Sequence, residues 1–304
     1  MCIRDRASIR QFFAERNVLE VETPLLGSAG VTDPAIEPLI VAAGASLGGP
    51  RYLQTSPEYA MKRLLAAGSG PIFQIARAFR DGEAGSRHNP EFSLLEWYRP
   101  GFDHHRLMEE VAELVCGCLG ERPWQRLSYR QLFLDLLQLD PFLASAAELE
   151  AVARRSIDVG GLQGDRDLWL DLLMSHLVEP RLADMGMCFV YDYPASQAAL
   201  ARIVEMDGVM VGQRFELYVD GMELANGYFE LGDAAEQRAR FEADNRQRRI
   251  AGAPSRALDE SLLEALAHGL PQCSGVALGI DRLLMLNCGS DDIRGVLAFD
   301  WQRS

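Results

Sequence analysis

Apolar residues at Ile9, Phe12 and Phe13 recur at helical spacing across residues 7–16, and Asn17 ends the run. Val18, Val21 and the Thr23-Pro24 step then predict a strand that stops at a proline. Residues 51–57 (RYLQTSP) predict a strand and 58–67 a helix. Residues 71–79 alternate as a strand, 80–90 form a polar, glycine-bearing loop, and 92–98 return as the antiparallel partner. A long ordered loop inside a compact domain is usually functional. Asp103 is placed to cap a helix over 103–118, with Leu107, Val111, Leu114 and Val115 as its apolar stripe. Further helices follow over 127–187, read as a peripheral insertion or connecting region. Short strands are predicted at 189–193, 215–219 and 223–227, the last two joined at the hairpin turn Asp220-Gly221. Helices at 234–249 and 258–267, a glycine-bearing strand at 275–280, a helix at 281–286 and a closing strand at 296–299 complete the pattern.

Hairpins, then helices, then more hairpins define an α+β class, mainly an antiparallel sheet flanked by helices, and not alternating βαβ. No repeat or low-complexity linker divides the chain, so one domain over residues 7–304 is expected. Residues 1–6 (MCIRDR) show no clear structural role and read as a non-native or truncated start. The 304 residues, 48% of them hydrophobic, suffice for a sizeable core. No run approaches the roughly 18 continuous apolar residues of a membrane span, and nothing at the N-terminus directs export. Six cysteines without a CxxC pair fit free thiols in a reducing cytoplasm, and Cys116 and Cys118 read as buried helix residues. The formal charge of −14 argues against a broad nucleic-acid footprint, which needs clustered Lys and Arg.

Neither a G-x-x-x-x-G-K-[ST] loop nor a G-x-G-x-x-G after a strand is present. Any ATP chemistry must therefore use another frame. Three segments supply candidates. The first is FFAERNVLEVETPLL (12–26), a helix, strand and proline. The second, FRDGEAGSRHNPEFSLLEWY (79–98), puts Arg80 at a strand end and Phe92 near the start of the next. A guanidinium grips phosphate bidentately and an aromatic stacks on a purine. Arg87 and His88 extend from the loop toward outer phosphates. The third, GVALGIDRLLML (275–286), has small residues that let a backbone approach a ligand. It also has Arg282 at a helix start, where the dipole disfavours a cation unless an anion binds nearby.

In order and spacing these segments resemble motifs 1, 2 and 3 of class II aminoacyl-tRNA synthetases. RHNPEFSLLEWY (87–98), GMELANGYFEL (221–231) and GVALGIDRLLML look like lysyl-tRNA synthetase. TSPEYAMKRLL (55–65), ASQAAL (195–200), ELANGY (223–228) and CSGVALGIDR (273–282) match more closely its shortened paralogue, the elongation factor P (R)-β-lysine ligase family. The resemblance implies an ATP-dependent ligase that forms an aminoacyl adenylate. It implies ATP contacts at Arg80, Asp81, Gly82, Glu83, His88, Asn89, Phe92, Glu223, Leu224, Gly279 and Arg282. Arg80 would hold the α-phosphate, and Phe92 and Arg282 would sandwich adenine. It implies an amino-acid pocket of Ser56, Glu58, Glu96, Tyr98, Asn226, Glu230 and Ala277, with acids matched to two substrate ammonium groups. It implies Mg²⁺ at Glu223 and Glu230, catalytic roles for Arg80, Arg282 and Glu223, and a cytoplasmic homodimer with Pro24 at its interface. The expected substrates are lysine or β-lysine and elongation factor P.

Motif 2 of the family usually reads Arg-x-Glu, but here Gly82 takes the glutamate's place and Glu83 follows. Motif 1 begins within the first twenty residues, leaving no room for an anticodon-binding domain of on the order of 100 residues. That makes tRNA an unlikely acceptor. Ala277 stands where lysyl synthetases usually have glycine, and its methyl would disfavour an α-amino group. Two alternatives stay open: a truncated lysyl-tRNA synthetase that charges tRNA, and a non-catalytic synthetase-like protein that binds the amino acid or ATP.

Overall fold

The computed structural model describes residues 3–42 and 49–304. Helix α1 (Ile3–Glu15) begins at Ile3, not at residue 7. None of residues 3–6 breaks a helix, and Arg6 donates from Nη2 to Ser93 Oγ at 3.2 Å. Asn17, at φ 53°, takes the left-handed turn that closes α1.

A nine-stranded sheet frames the described residues. Toward its β1 edge lies the hairpin of β5 (Ile72–Phe79) and β6 (Glu91–Pro100), paired over eight residues from Ile72↔Tyr98 to Phe79↔Glu91. Next to β6 lies β12 (Cys273–Gly279), then β11 (Met222–Phe229), β10 (Val209–Val219) and β8 (Met187–Pro194), all antiparallel. The edges are parallel additions: β1 (Leu19–Glu20) on β5, and β7 (Trp124–Ser128) on β8. Strand β9 (Ile203–Met206) pairs with the outer part of β10. A second sheet, β2 (Leu26–Gly27), β4 (Arg51–Leu53) and β3 (Ile40–Val41), sits beside it.

Alternation decides which face is which. Leu95 and Trp97 of β6 and Val276 and Leu278 of β12 join Phe13, Val111, Phe189 and Phe215 in the main core. That core packs on α3 (His104–Leu119), whose N-cap Asp103 accepts from the Arg106 N–H at 2.8 Å. Helix α10 (Ile280–Cys288) closes the same side. The region after β7 contains α4 (Tyr129–Leu137), α5 (Ala146–Ser156), α6 (Arg166–Leu173), a π-helical turn and α7 (Glu179–Leu182). These helices bury Tyr129, Trp169 and Leu170 against β8, forming their own core. The residues between, Glu96 and Tyr98 among them, face a cavity. Helix α2 (Glu58–Ala66) and helix α8 (Ala234–Ile250) contribute residues to its wall. Beside them lies α9 (Glu260–Gly269).

The strand predicted at 296–299 does not form. The N–H groups of Val296 and Leu297 both bond back to Ile293 O, so a turn uses the donors a strand would offer. Val296 packs on Met285 and Ile293, while Phe299 is 73% exposed.

Candidate active site

Sheet register assembles the cavity from distant segments. One row runs Glu96, Ala277, Asn226, Glu216 across β6, β12, β11 and β10; the next runs Tyr98, Gly275, Tyr228, Arg214. The enclosed volume is about 930 Å³. Gly275 is required by its neighbours: a Cβ there would lie 2.3 Å from Tyr98 Cε1 and 2.5 Å from Glu230 Oε1. Ala277 sits half-buried between Glu96 and Asn226. A bulge sets two residues of β11, Glu223 and Leu224, against Tyr218 of β10. The extra residue changes the alternation, so Glu223 joins Asn226 on the cavity wall.

At one end the cavity has an acidic floor. Ser56 Oγ accepts from the Glu58 N–H at 3.2 Å at the start of α2. One turn on, the Lys62 ammonium lies 2.6 Å from Glu58 and 2.6 Å from Glu230. Glu96, 2% exposed, accepts from Tyr98 Oη at 2.7 Å, and its second oxygen has no hydrogen-bond partner among the described residues. Burial, then the nearby Glu58, push the Glu96 carboxyl up to about 8. Burial raises Glu230 to about 7, with Lys62 opposing the rise. Burial also works to lower Lys62, but Glu230 and Glu58 outweigh it and hold the ammonium above its ordinary range.

At the other end are the arginines. Arg80 lies with its guanidinium carbon 5.1 Å from the Phe92 ring centroid and 3.6 Å, by Nη1, from Glu83. Its Nε is buried without a hydrogen-bond partner among the described residues, while the residue itself lines the cavity. Arg282 donates from Nη1 to Glu223 O at 2.7 Å and to Glu223 Oε2 at 3.2 Å; its Nη2 is 2.7 Å from His88 Nε2. Burial, then the charge of Arg282, lower the His88 pKa. Burial, then Glu216, raise that of Glu223. Arg87 reaches across to Gly221 O at 3.4 Å.

The cavity wall thus brings together Ser56, Glu58, Arg80, Glu83, His88, Asn89, Phe92, Glu96, Tyr98, Glu223, Leu224, Asn226, Glu230, Ala277, Gly279 and Arg282. Asp81 and Gly82 are not on it; they form an exposed turn. Gly82 has φ +77°, which a glutamate would adopt only under strain, and the turn delivers Glu83 to the wall instead. Asn89 is on the wall, but its side chain is engaged in the protein, donating to Glu91 O at 2.6 Å and accepting from the Trp301 N–H at 3.0 Å. Glu223 and Glu230 share the wall but not their partners: Arg282 holds one and Lys62 the other. No group of three or more His, Cys, Asp or Glu arranged for a metal occurs among the described residues.

Sequence reasoning did not single out Lys62. The signal was available, because a lysine stands in the apolar stripe of α2 with Met61 and Leu65, four residues after Glu58. It also missed a network behind Asn226. Arg214 pairs with Glu216 and donates to Asn226 Oδ1 at 3.2 Å. Glu216 Oε2 accepts from Tyr193 at 2.7 Å and from Tyr218 at 2.6 Å. No local pattern marks these residues, because register alone gathers them.

A deep cavity with an acidic floor, two arginines opposite and an antiparallel sheet beneath is the arrangement of a synthetase core. The chain belongs to the class II tRNA synthetases of the D, K and N type, whose family model matches residues 4–303. Within that class its curated relatives are more particular. Proteins of Salmonella gallinarum and Salmonella typhi, each named elongation factor P–(R)-β-lysine ligase, are 50% identical to it over 303 residues. The alignment covers 98% of this chain and 93% of each relative, so the chain belongs with that ligase family.

Proposed function

We propose that this protein is an ATP-dependent ligase that activates (R)-β-lysine as its adenylate and transfers it to a lysine ε-amine of elongation factor P. The observation that carries the reading is the floor of the cavity, where the buried Glu96 and Glu230 and the partly buried Glu58 surround a single ammonium. Such a floor suits an amino acid with two ammonium groups. The identity to proteins named for this activity supports the same substrate and acceptor.

The mechanism needs no side-chain nucleophile. The β-lysine carboxylate oxygen attacks the α-phosphorus of ATP in line, a new P–O bond forms, and pyrophosphate leaves. Arg80, a guanidinium on the cavity wall, is placed to hold α-phosphate oxygens as charge develops on them. Phe92 and Arg282 offer the two faces for adenine, and Arg87 and His88 are placed toward the outer phosphates. The floor acids fix the ammonium groups and so orient the carboxylate. The acceptor amine then attacks the acyl carbon, AMP leaves, and the amine loses a proton.

The donor chemistry fits a magnesium ion at Glu223, a hard oxygen donor on the wall near Arg282; Glu230 is already committed to Lys62. Bound there with phosphate oxygens, Mg²⁺ would neutralise phosphate charge. A translation-factor acceptor implies a cytoplasmic enzyme. No helix among the described residues is long and apolar enough to cross a membrane. A homodimer through the segment around Pro24 is supported by exposed apolar side chains beside it, Leu25 and Leu26.

The test is transfer with purified components, comparing (R)-β-lysine with α-lysine and elongation factor P with tRNA. The expected result is a mass gain on one lysine of elongation factor P, greatest with β-lysine. Labelled tRNA with unmodified protein would make the chain a lysyl-tRNA synthetase. Absence of ATP–pyrophosphate exchange with any lysine isomer would make it a binding protein.

A further inference from the structure

The lysine buried behind the floor acids has no part in the chemistry above, yet it is among the most buried charges of the described residues. Its side chain is 2% exposed, on the same helix stripe as Met61 and Leu65. A buried ammonium is tolerated only when paired and hydrogen-bonded. It donates to Glu58 Oε1 and lies within ion-pair distance of Glu230 Oε2, each at 2.6 Å. The charged and titratable groups around it come from four elements. They are Glu58 on α2, Glu96 and Tyr98 on β6, Glu230 just past β11, and Cys273 on β12.

Once an incoming ammonium displaces the proton of Glu96, three carboxylates against one ammonium leave the floor with two negative charges. β-Lysine brings two ammonium groups. We propose that Lys62 is a positioning and specificity residue: as a built-in counter-charge it fixes the Glu58 and Glu230 carboxylates and sets the floor to accept two ammonium groups, not one or three. The inference rests on the function proposed above. Without Lys62, Glu58 and Glu230 lose their common partner and repel each other. A two-ammonium substrate then leaves one buried carboxylate uncompensated. With Lys62 in place, an amino acid with a single ammonium leaves the same deficit.

ATP–pyrophosphate exchange tests this with Lys62→Gln, which keeps length and a donor but removes charge, and Lys62→Arg, which keeps the charge. Lys62→Gln should raise KM for β-lysine about ten-fold or more, as expected when one partner of a buried charge pair is lost. Its kcat and its KM for ATP should change little, and Lys62→Arg should recover most of the loss. An unchanged KM in Lys62→Gln, or equal damage in both variants, overturns the proposal. A wild-type protein that does not activate β-lysine sinks the parent reading instead, which separates the two failures. A crystal structure of the wild type with a β-lysyl-sulfamoyl adenylate decides the matter without any variant. Lys62 should remain at hydrogen-bond distance, about 3 Å, from both acids. A Lys62 displaced by the substrate's own ammonium would show it to be a placeholder in the empty pocket and refute the assignment.

Discussion

Glu96 concentrates the chemistry of the site at the scale of one side chain. Burial and Glu58 raise its carboxyl to about 8, so near neutrality it holds a proton that a substrate ammonium must displace. Its affinity for an ammonium therefore grows as pH rises toward 8, and KM for β-lysine should fall between pH 6.5 and 8.5. The stability effect has the opposite direction. The folded state binds this proton more tightly than the unfolded chain, whose glutamates titrate at roughly 4.3. Stability is thus lost as pH climbs from that value to about 8. Glu96→Gln should raise the melting temperature of the empty protein more at pH 9 than at pH 5, while exchange with β-lysine collapses. Equal shifts at both pH values would contradict the burial account. Ala277 makes a second prediction. Its methyl lies between Glu96 and Asn226 in the sheet register, where an α-amino group would approach. Ala277→Gly should raise relative use of α-lysine roughly ten-fold, the scale of a single methyl contact. Unchanged relative kcat/KM for the two isomers would remove the idea.

Elements were legible where local chemistry sets them. Asp103 caps α3, and Asp220-Gly221, at φ 51° and 75°, makes the tight hairpin turn that its dipeptide predicts. The paired strands of the second motif also follow from their alternation. The strand predicted at 296–299 failed because a short apolar run fits a turn as readily as a strand, and Ile293 O captured its donors. The bulge that turns Glu223 toward the cavity has no signature in the residues around it; it exists only between paired strands. Asn89 belongs to this scale as well, because its side chain ties the start of β6 to the segment at Trp301. Asn89→Ala removes both bonds and should cost about 1–3 kcal/mol in stability. It should also raise KM for ATP several-fold, by loosening the loop that bears Arg87 and His88, and leave KM for β-lysine near its original value. Chemical denaturation and exchange kinetics would show the two effects separately.

For the whole molecule, exposed apolar edges bear on assembly. Leu19, at 58% exposure, lies on the edge strand β1, and Ile40, at 52%, lies with Leu26 on the small second sheet. Edge strands with exposed apolar side chains favour pairing with another chain. Sedimentation should therefore find a dimer, and Leu26→Asp with Ile40→Asp should convert it to monomer. A monomeric wild type at micromolar concentration would refute the dimer.

The sequence by itself determined the chemistry and the class. The arginines, the acids and the three spaced motifs are residue identities, and local turns and caps follow from neighbouring residues. Tertiary structure decided which of them meet. Register placed Glu96, Ala277 and Asn226 in one row from three separate segments, and turned Arg214 and Glu216 in behind them. Packing paired Lys62 with Glu230 across 168 positions of chain and drew Glu230 away from Glu223. Such pairings depend on strand order and on the depth of burial. Burial also sets how strongly charges interact, and neither it nor strand order is a property of any short stretch of residues.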